Sequence, residues 1–402
     1  MNEFDVHKSQ HNLELAYARL EKDSEVCQEN KTLIFSFAKV KLAKGLTKIR
    51  VMKLLYSLRF LARWYNKPFN QATKDELIEL VGEIENKQYS PNSKHDFKVI
   101  LKLFYKWLKG NDETYPPEIS WLKPKVKNGR HTLPEELLTE KEVSQMAEAA
   151  DHPRNRAFVS VLYETGCRIG ELLSLRVKNV QFDQYGAVLR VTGKTGDRRV
   201  RIVSSAPVLT NWIDLYKDSN VPDAPLWPPI STNFRNKGQP AEYRSIYVML
   251  QQLAKKAGIN KRIYPHLFRH SRATALAGKL TEAQMKEYFG WVQGSDMAAT
   301  YVHLSGRDVD NALLQLYSLK EKPDETPRLD IKICQRCKER NSPVQAFCGR
   351  CGNPFDESKL LVNSNQSGND DSVFNALFKD NEFRELFIRK VGELNVGREA
   401  VF

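Results

Sequence analysis

The stretch Tyr264-Pro-His-Leu-Phe-Arg-His-Ser-Arg-Ala-Thr-Ala275 reads as the start of a helix that aims cationic side chains at one point. Pro265 suits a first helical position, because proline lacks the N–H that a helix start leaves unpaired. His266 and Arg269 lie three apart and therefore share a face. Both can point at the same anion.

Other segments read outward from this one complete a set. In Tyr163-Glu-Thr-Gly-Cys-Arg-Ile-Gly-Glu-Leu-Leu-Ser-Leu175, Gly166 stops one helix and Ile169, Leu172 and Leu173 begin another. Arg168 then sits near a helix N-terminus, where backbone N–H groups favour phosphate. Val188-Leu-Arg-Val-Thr-Gly-Lys-Thr-Gly-Asp-Arg-Arg-Val-Arg-Ile-Val203 alternates on both sides of a Gly-rich turn, a hairpin signal that puts Lys194 on the tip. Phe289-Gly-Trp-Val-Gln-Gly-Ser-Asp-Met-Ala-Ala-Thr-Tyr-Val-His-Leu304 places Trp291 in a turn and Tyr301 on or beside a short helix. Each residue alone has an ordinary reading: aromatic side chains in a core, a lysine solvated in a turn, a histidine packed beside an ion pair.

Taken in order, spacing and context, Arg168, Lys194, His266, Arg269, Trp291 and Tyr301 resemble the tyrosine recombinases, also called the phage integrase family, over residues 10 to 320 when an N-terminal arm-like domain is included. The resemblance implies a transesterification without catalytic metal or other cofactor. Tyr301 attacks the scissile phosphate, forms a 3′-phosphotyrosyl link and releases a 5′-hydroxyl. Arg168 and Arg269 would clamp the non-bridging oxygens with planar forks of donors. Lys194 would protonate the leaving oxygen, His266 would accept or orient the tyrosine proton, and Trp291 would donate its indole N–H to the phosphate. The family more often has histidine in a Leu-Gly-His at this last position, where this chain has Phe289-Gly290-Trp291. Indole cannot take up a proton, so the exchange is one of hydrogen-bond donors. Glu171 matches the family's acidic position and would hold the helix or the arginine in place.

The implied partner is double-stranded DNA with specific recombination sites, held by a homotetramer on paired sites that is a monomer or dimer off DNA. Two rivals stand beside a recombinase: a type IB topoisomerase-like enzyme that rejoins the original strand, and a DNA-binding accessory protein that has lost the chemistry. Exchange between two cognate sites, against relaxation of any supercoiled plasmid, separates the first.

The charge agrees with a polyanionic partner. The 402 residues carry a formal charge of +13, and residues 1–130 hold 24 Lys+Arg against 16 Asp+Glu, a net +8. Most of the excess therefore lies in the first third, the expected DNA gripper. Met1-Asn-Glu-Phe-Asp-Val-His is polar, without the apolar core of a signal sequence, and no apolar run approaches a membrane span. The expectation is a cytoplasmic, nucleoid-associated protein with no membrane partner.

The fold expected is mainly α with a small β-sheet. Residues 1–115 read as a helical DNA-binding bundle, 116–134 as a linker rich in proline, and 135–320 as a mixed α+β catalytic domain. Thr73 with Glu76, and Thr139 with Glu142, read as capping boxes. Lys94, Lys98, Lys102 and Lys106 recur every four residues after Ser90-Pro91, either a solvated face or a line of phosphate contacts. Asp223 to Ile230, rich in proline, reads as a surface loop. After a second linker, 321–331, residues 332–356 carry Cys334-Gln-Arg-Cys337 and Cys348-Gly-Arg-Cys351. These knuckles resemble a zinc ribbon, with one structural zinc held by all four thiolates; a redox C-x-x-C or coincidence is the alternative. Residues 370–402 read as an amphipathic helix, packed on its own domain or docked on a partner.

Overall fold

Helical periodicity in the first third buries one stripe of each of five helices: α1 Ser9–Glu21, α2 Gln28–Ala43, α3 Lys48–Tyr65, α4 Lys74–Asn86 and α5 Pro91–Lys109. Ile34, Phe37, Leu54, Leu58, Leu77 and Phe104 meet in a shared core. Thr47 caps α3 by accepting from the Arg50 N–H, and α4 starts with the expected Thr73–Glu76 capping box. The computed structural model describes residues 4–125, 134–193, 195–230, 238–304, 317, 331–343, 345, 347–350, 353 and 355. Lys194, Cys351 and the C-terminal helix expected at 370–402 lie outside the described residues.

Within the stretch expected as the first linker, Pro117–Ser120 forms helix α6, and Ile119 and Leu122 are buried in the bundle core. The second core begins with α7 Glu140–Glu148, which carries the expected Thr139–Glu142 capping box, and α8 Pro153–Thr165. Helix α9, Ile169–Leu173, leads to an antiparallel sheet of β1 Val180–Asp183, β2 Gly186–Gly193 and β3 Gly196–Ile202 in that order. The hairpin register pairs Gly193 with Gly196 and Val191 with Arg198. Around the sheet stand α10 Ala206–Leu215, α11 Tyr243–Lys256, α12 Pro265–Ala277, α13 Glu282–Phe289 and α14 Met297–Leu304.

The proline-rich segment after Asp223 is not a surface loop. Leu226 and Trp227 are fully buried, Trp227 meets Phe158 edge-on at 5.1 Å, and the Leu226 carbonyl accepts from the Trp212 indole. The prolines set an extended path that the apolar side chains between them draw inward. The chain's beginning also joins this half: Val6 lies in the second core, Phe4 sits under the Arg176 guanidinium at 4.0 Å, and Lys8 pairs with Glu242. Short strands β4 Lys332–Ile333 and β5 Arg340–Asn341 pair antiparallel, and Arg340 donates to the Gln184 carbonyl beside β1. No helix among the described residues is long and apolar enough to cross a membrane.

Candidate active site

Helix α12 sets the site. Tyr264 precedes it in an extended conformation, Pro265 opens it, and Arg269 one turn later is 2% exposed. Its guanidinium donates to the Gly166 carbonyl at 2.9 Å and the Phe289 carbonyl at 2.7 Å. Gly166 ends α8 at φ 54°, a left-handed conformation, and a Cβ there would meet the Phe289 ring at 2.5 Å. Only glycine fits both demands. Burial and then the Arg168 charge hold Arg269 down at about 10, so it stays charged at neutral pH. A buried cation with carbonyls for partners is a site for an anion.

Arg168 caps α9 together with Glu171. The Glu171 carboxylate accepts from the Arg168 backbone N–H at 3.0 Å and from its guanidinium at 2.8 Å, while the other end of the fork reaches the Gly290 carbonyl at 3.3 Å. Glu171 also accepts from Arg198 at 2.7 Å. Burial alone would raise this carboxyl, but the hydrogen bonds and charges of Arg198 and Arg168 outweigh it and hold it below its ordinary value.

Tyr301 is 2% exposed on α14, with its ring nearly parallel to Trp291 at 5.4 Å and 4°. Trp291 stacks in turn on Phe289, and Arg269 lies 5.5 Å from the indole centre. The phenol's partner is His270, whose Nδ1 is 2.5 Å from the hydroxyl. His266, expected to accept or orient that proton, lies one turn earlier, its ring edge-on to His270 at 4.8 Å. Burial raises Tyr301 to about 12, and burial followed by the Arg269 charge lowers His270. At neutral pH the tyrosine keeps its proton and the imidazole is neutral, so His270 accepts this bond in the tautomer that carries its own proton on Nε2. His266 stays partly open to solvent, yet the protein around it, then His270, Arg269 and Arg168, lower it to about 4.

The structure thus gathers Arg168, His266, Arg269, Trp291 and Tyr301 on one constellation of α9, α12, the turn after α13, and α14. Gly193 and Thr195 flank Lys194, and the Thr195 hydroxyl donates to the Gly290 carbonyl at 3.2 Å. Two residues of the constellation, His270 and Arg198, were not expected from the sequence. Helical spacing carried a signal for the first, four after His266 on the same face. Alternation carried one for the second: Arg198 shares the inward side of β3 with Val200 and Ile202.

The lysine stripe on α5 is engaged within its own bundle. Lys94 and Lys98 meet Glu85, Lys102 donates to the Leu122 carbonyl at 2.5 Å, and Lys102 and Lys106 lie over the Tyr115 ring. Of the cysteines, the sulfurs of Cys334, Cys337 and Cys348 lie within 4.8 Å of one another.

Comparison with known proteins places this geometry. Residues 136–307 match the phage integrase family. The tyrosine recombinase XerA of Pyrococcus horikoshii is 26% identical over 247 residues, 61% of this chain and 79% of that relative. Among solved structures, XerH site-specific recombinase bound to its difH substrate superposes with a TM-score of 0.52 at 16% identity, covering 78% of this chain and 97% of that one. A lambda integrase tetramer bound to a Holliday junction does so at 0.54 and 13%, covering 72% and 81%. The helical fold with its small sheet is shared with these structures. The segment 136–307, which holds the whole constellation, matches the phage integrase family, and the chain is similar to tyrosine recombinases over 61% of its length.

Proposed function

We propose that the chain breaks and rejoins DNA at specific sites through a 3′-phosphotyrosyl intermediate, with Tyr301 as nucleophile. The observation that carries this is the contact of the Tyr301 hydroxyl with His270 beside the buried Arg269 cation. A tyrosine held at about 12 is a poor nucleophile until a base takes its proton, and a neutral imidazole in hydrogen-bond contact is such a base. As the Tyr301 oxygen bonds to phosphorus, the bond from phosphorus to the 5′-oxygen breaks. The phenolic proton passes to His270, and Lys194 supplies a proton to the leaving oxygen. Arg168 and Arg269 neutralise the charge that grows on the non-bridging oxygens, and Trp291 and His266 complete the phosphate's surroundings. Attack by a second strand's 5′-hydroxyl reverses these steps and exchanges partners.

Assembly follows the same reading. Among the similar structures, XerH is bound to its difH substrate and lambda integrase is a tetramer on a Holliday junction. For this chain we propose a homotetramer on two DNA sites. Lys94, Lys98, Lys102 and Lys106 would contact phosphates, and for Lys94 and Lys98 this exchanges ion pairs to the half-exposed Glu85 that are worth about 0–1 kcal/mol each.

The cysteine cluster suits one structural zinc. A tetrahedral site with Zn–S of about 2.3 Å has sulfurs about 3.8 Å apart, within the observed spread. The Asn341 amide faces the Cys348 sulfur at 3.6 Å. Cys334, Cys337, Cys348 and Cys351 would hold the metal and close a ribbon too small for a core of its own.

The test is covalent capture on a library of nicked duplexes of randomised sequence. Captured DNA should converge on one site, and two copies of that site should exchange strands. Relaxation of any supercoiled plasmid without exchange would favour a type IB activity.

A further inference from the structure

Arg198 has no part in the chemistry proposed above, yet it ties together the segments that carry it. Its side chain is 8% exposed. Nε donates to the Tyr288 carbonyl at 3.0 Å, and one terminal nitrogen donates to Glu171 at 2.7 Å and lies 3.5 Å from the Cys167 sulfur. The other terminal nitrogen, Nη1, is buried without a hydrogen-bond partner among the described residues. Two glycines pass over this ion pair. A Cβ on Gly290 would meet Nη1 at 2.8 Å, and one on Gly193 would meet the Glu171 carboxylate at 2.4 Å. Burying a guanidinium costs hydration, which the bonds to Glu171 and the Tyr288 carbonyl offset only while these segments stay in register.

The segments are the ones that matter. Gly193 directly precedes Lys194, Gly290 directly precedes Trp291, and Glu171 holds Arg168. We infer that Arg198 is a positioning residue that fixes the hairpin bearing Lys194 against the Arg168 helix start and the Trp291 turn. The inference rests on the acid role proposed for Lys194. A methionine at position 198 fills the space but makes none of the bonds, and a lysine keeps the charge but cannot reach Glu171 and the Tyr288 carbonyl as a fork. Either change lets the hairpin tip drift, and a displacement of about 1 Å at a reacting group costs about a hundredfold in rate.

The experiment compares full-length Arg198→Met, Arg198→Lys and Lys194→Ala on a nicked duplex whose leaving group is the ordinary 5′-oxygen or a 5′-sulfur, which needs no proton donor. The ratio of the two rates within one variant does not depend on how much of that variant is folded. We expect each variant to lose about a hundredfold on the oxygen substrate and to return within about threefold of wild type on sulfur. Arg198→Met added to Lys194→Ala should cost nothing further on oxygen. Rescue of Lys194→Ala with equal losses on both substrates for the Arg198 variants overturns the positioning role alone. No rescue of Lys194→Ala overturns the acid role and this inference with it. Unchanged oxygen cleavage by both Arg198 variants also overturns it.

Discussion

At the scale of single residues, the site is a row of neutral rings laid beside fixed cations. Arg269 keeps its charge near neutral pH, while the His270 imidazole shares a hydrogen bond with the Tyr301 hydroxyl. Replacing His270 by alanine should therefore slow cleavage by about a hundredfold or more, the usual worth of a positioned base. His266→Ala should cost less, since His266 does not touch the phenol; single-turnover cleavage of a nicked duplex ranks the two. Both histidines bind a proton less readily folded than unfolded, the ordinary value being 6.5 and that of His266 about 4. Between those values the unfolded chain holds more protons, so stability is complete above pH 6.5 and falls as the pH drops toward 4. Thermal melting from pH 7 to 4.5 should show that fall, and His266→Ala with His270→Ala should flatten it. Which histidine faces the tyrosine was not legible from spacing, because His266 and His270 share one helical face. The choice is made by where α14 returns the chain across α12, a long-range contact that no local pattern encodes.

At the scale of elements, local rules carried furthest where capping and turn chemistry dominate. Both Thr–Glu capping boxes and the hairpin around Lys194 follow from residue type and spacing alone. The proline-rich segment at Ala224–Trp227 defeated the same rules, because its apolar residues find cover on α8 and α10 from outside their own neighbourhood. Gly290 shows how an element boundary becomes part of the site. It ends α13 at φ 62°, and an added Cβ strikes Arg198. Gly290→Ala should lower stability by about 1–3 kcal/mol, measured by urea unfolding, and should slow cleavage more than it weakens DNA binding. On α5, replacing Lys94, Lys98, Lys102 and Lys106 by alanine should weaken binding to every DNA sequence. The slope of log affinity against log salt should flatten by about 0.9 for each phosphate that no longer meets a lysine. An unchanged slope would leave the four lysines as fasteners to Glu85, Leu122 and Tyr115 alone.

At the scale of the molecule, a helical bundle and a catalytic half each have their own core, and the chain's first residues bind Phe4 and Val6 into the second. Composition announced the basic first third, but not that its N-terminus crosses to the other core. On the proposed function the cysteine module would answer to metal and the constellation would not, which separates them by experiment. Elemental analysis of the intact chain should give one zinc, lost in Cys334→Ser or Cys348→Ser, while cleavage by the intact chain should persist in EDTA; loss of cleavage on brief chelation would place a metal in the chemistry. The central claim concerns one oxygen atom. Trapping the chain on a nicked duplex, digesting the adduct and sequencing the nucleotide-bearing peptide by mass spectrometry should find a 3′-phosphate on Tyr301, with a 5′-hydroxyl on the released strand. Tyr301→Phe should bind the same DNA and form no adduct. A phosphate on any other residue, a 5′-phosphate link, or an adduct formed by the phenylalanine variant would contradict the account.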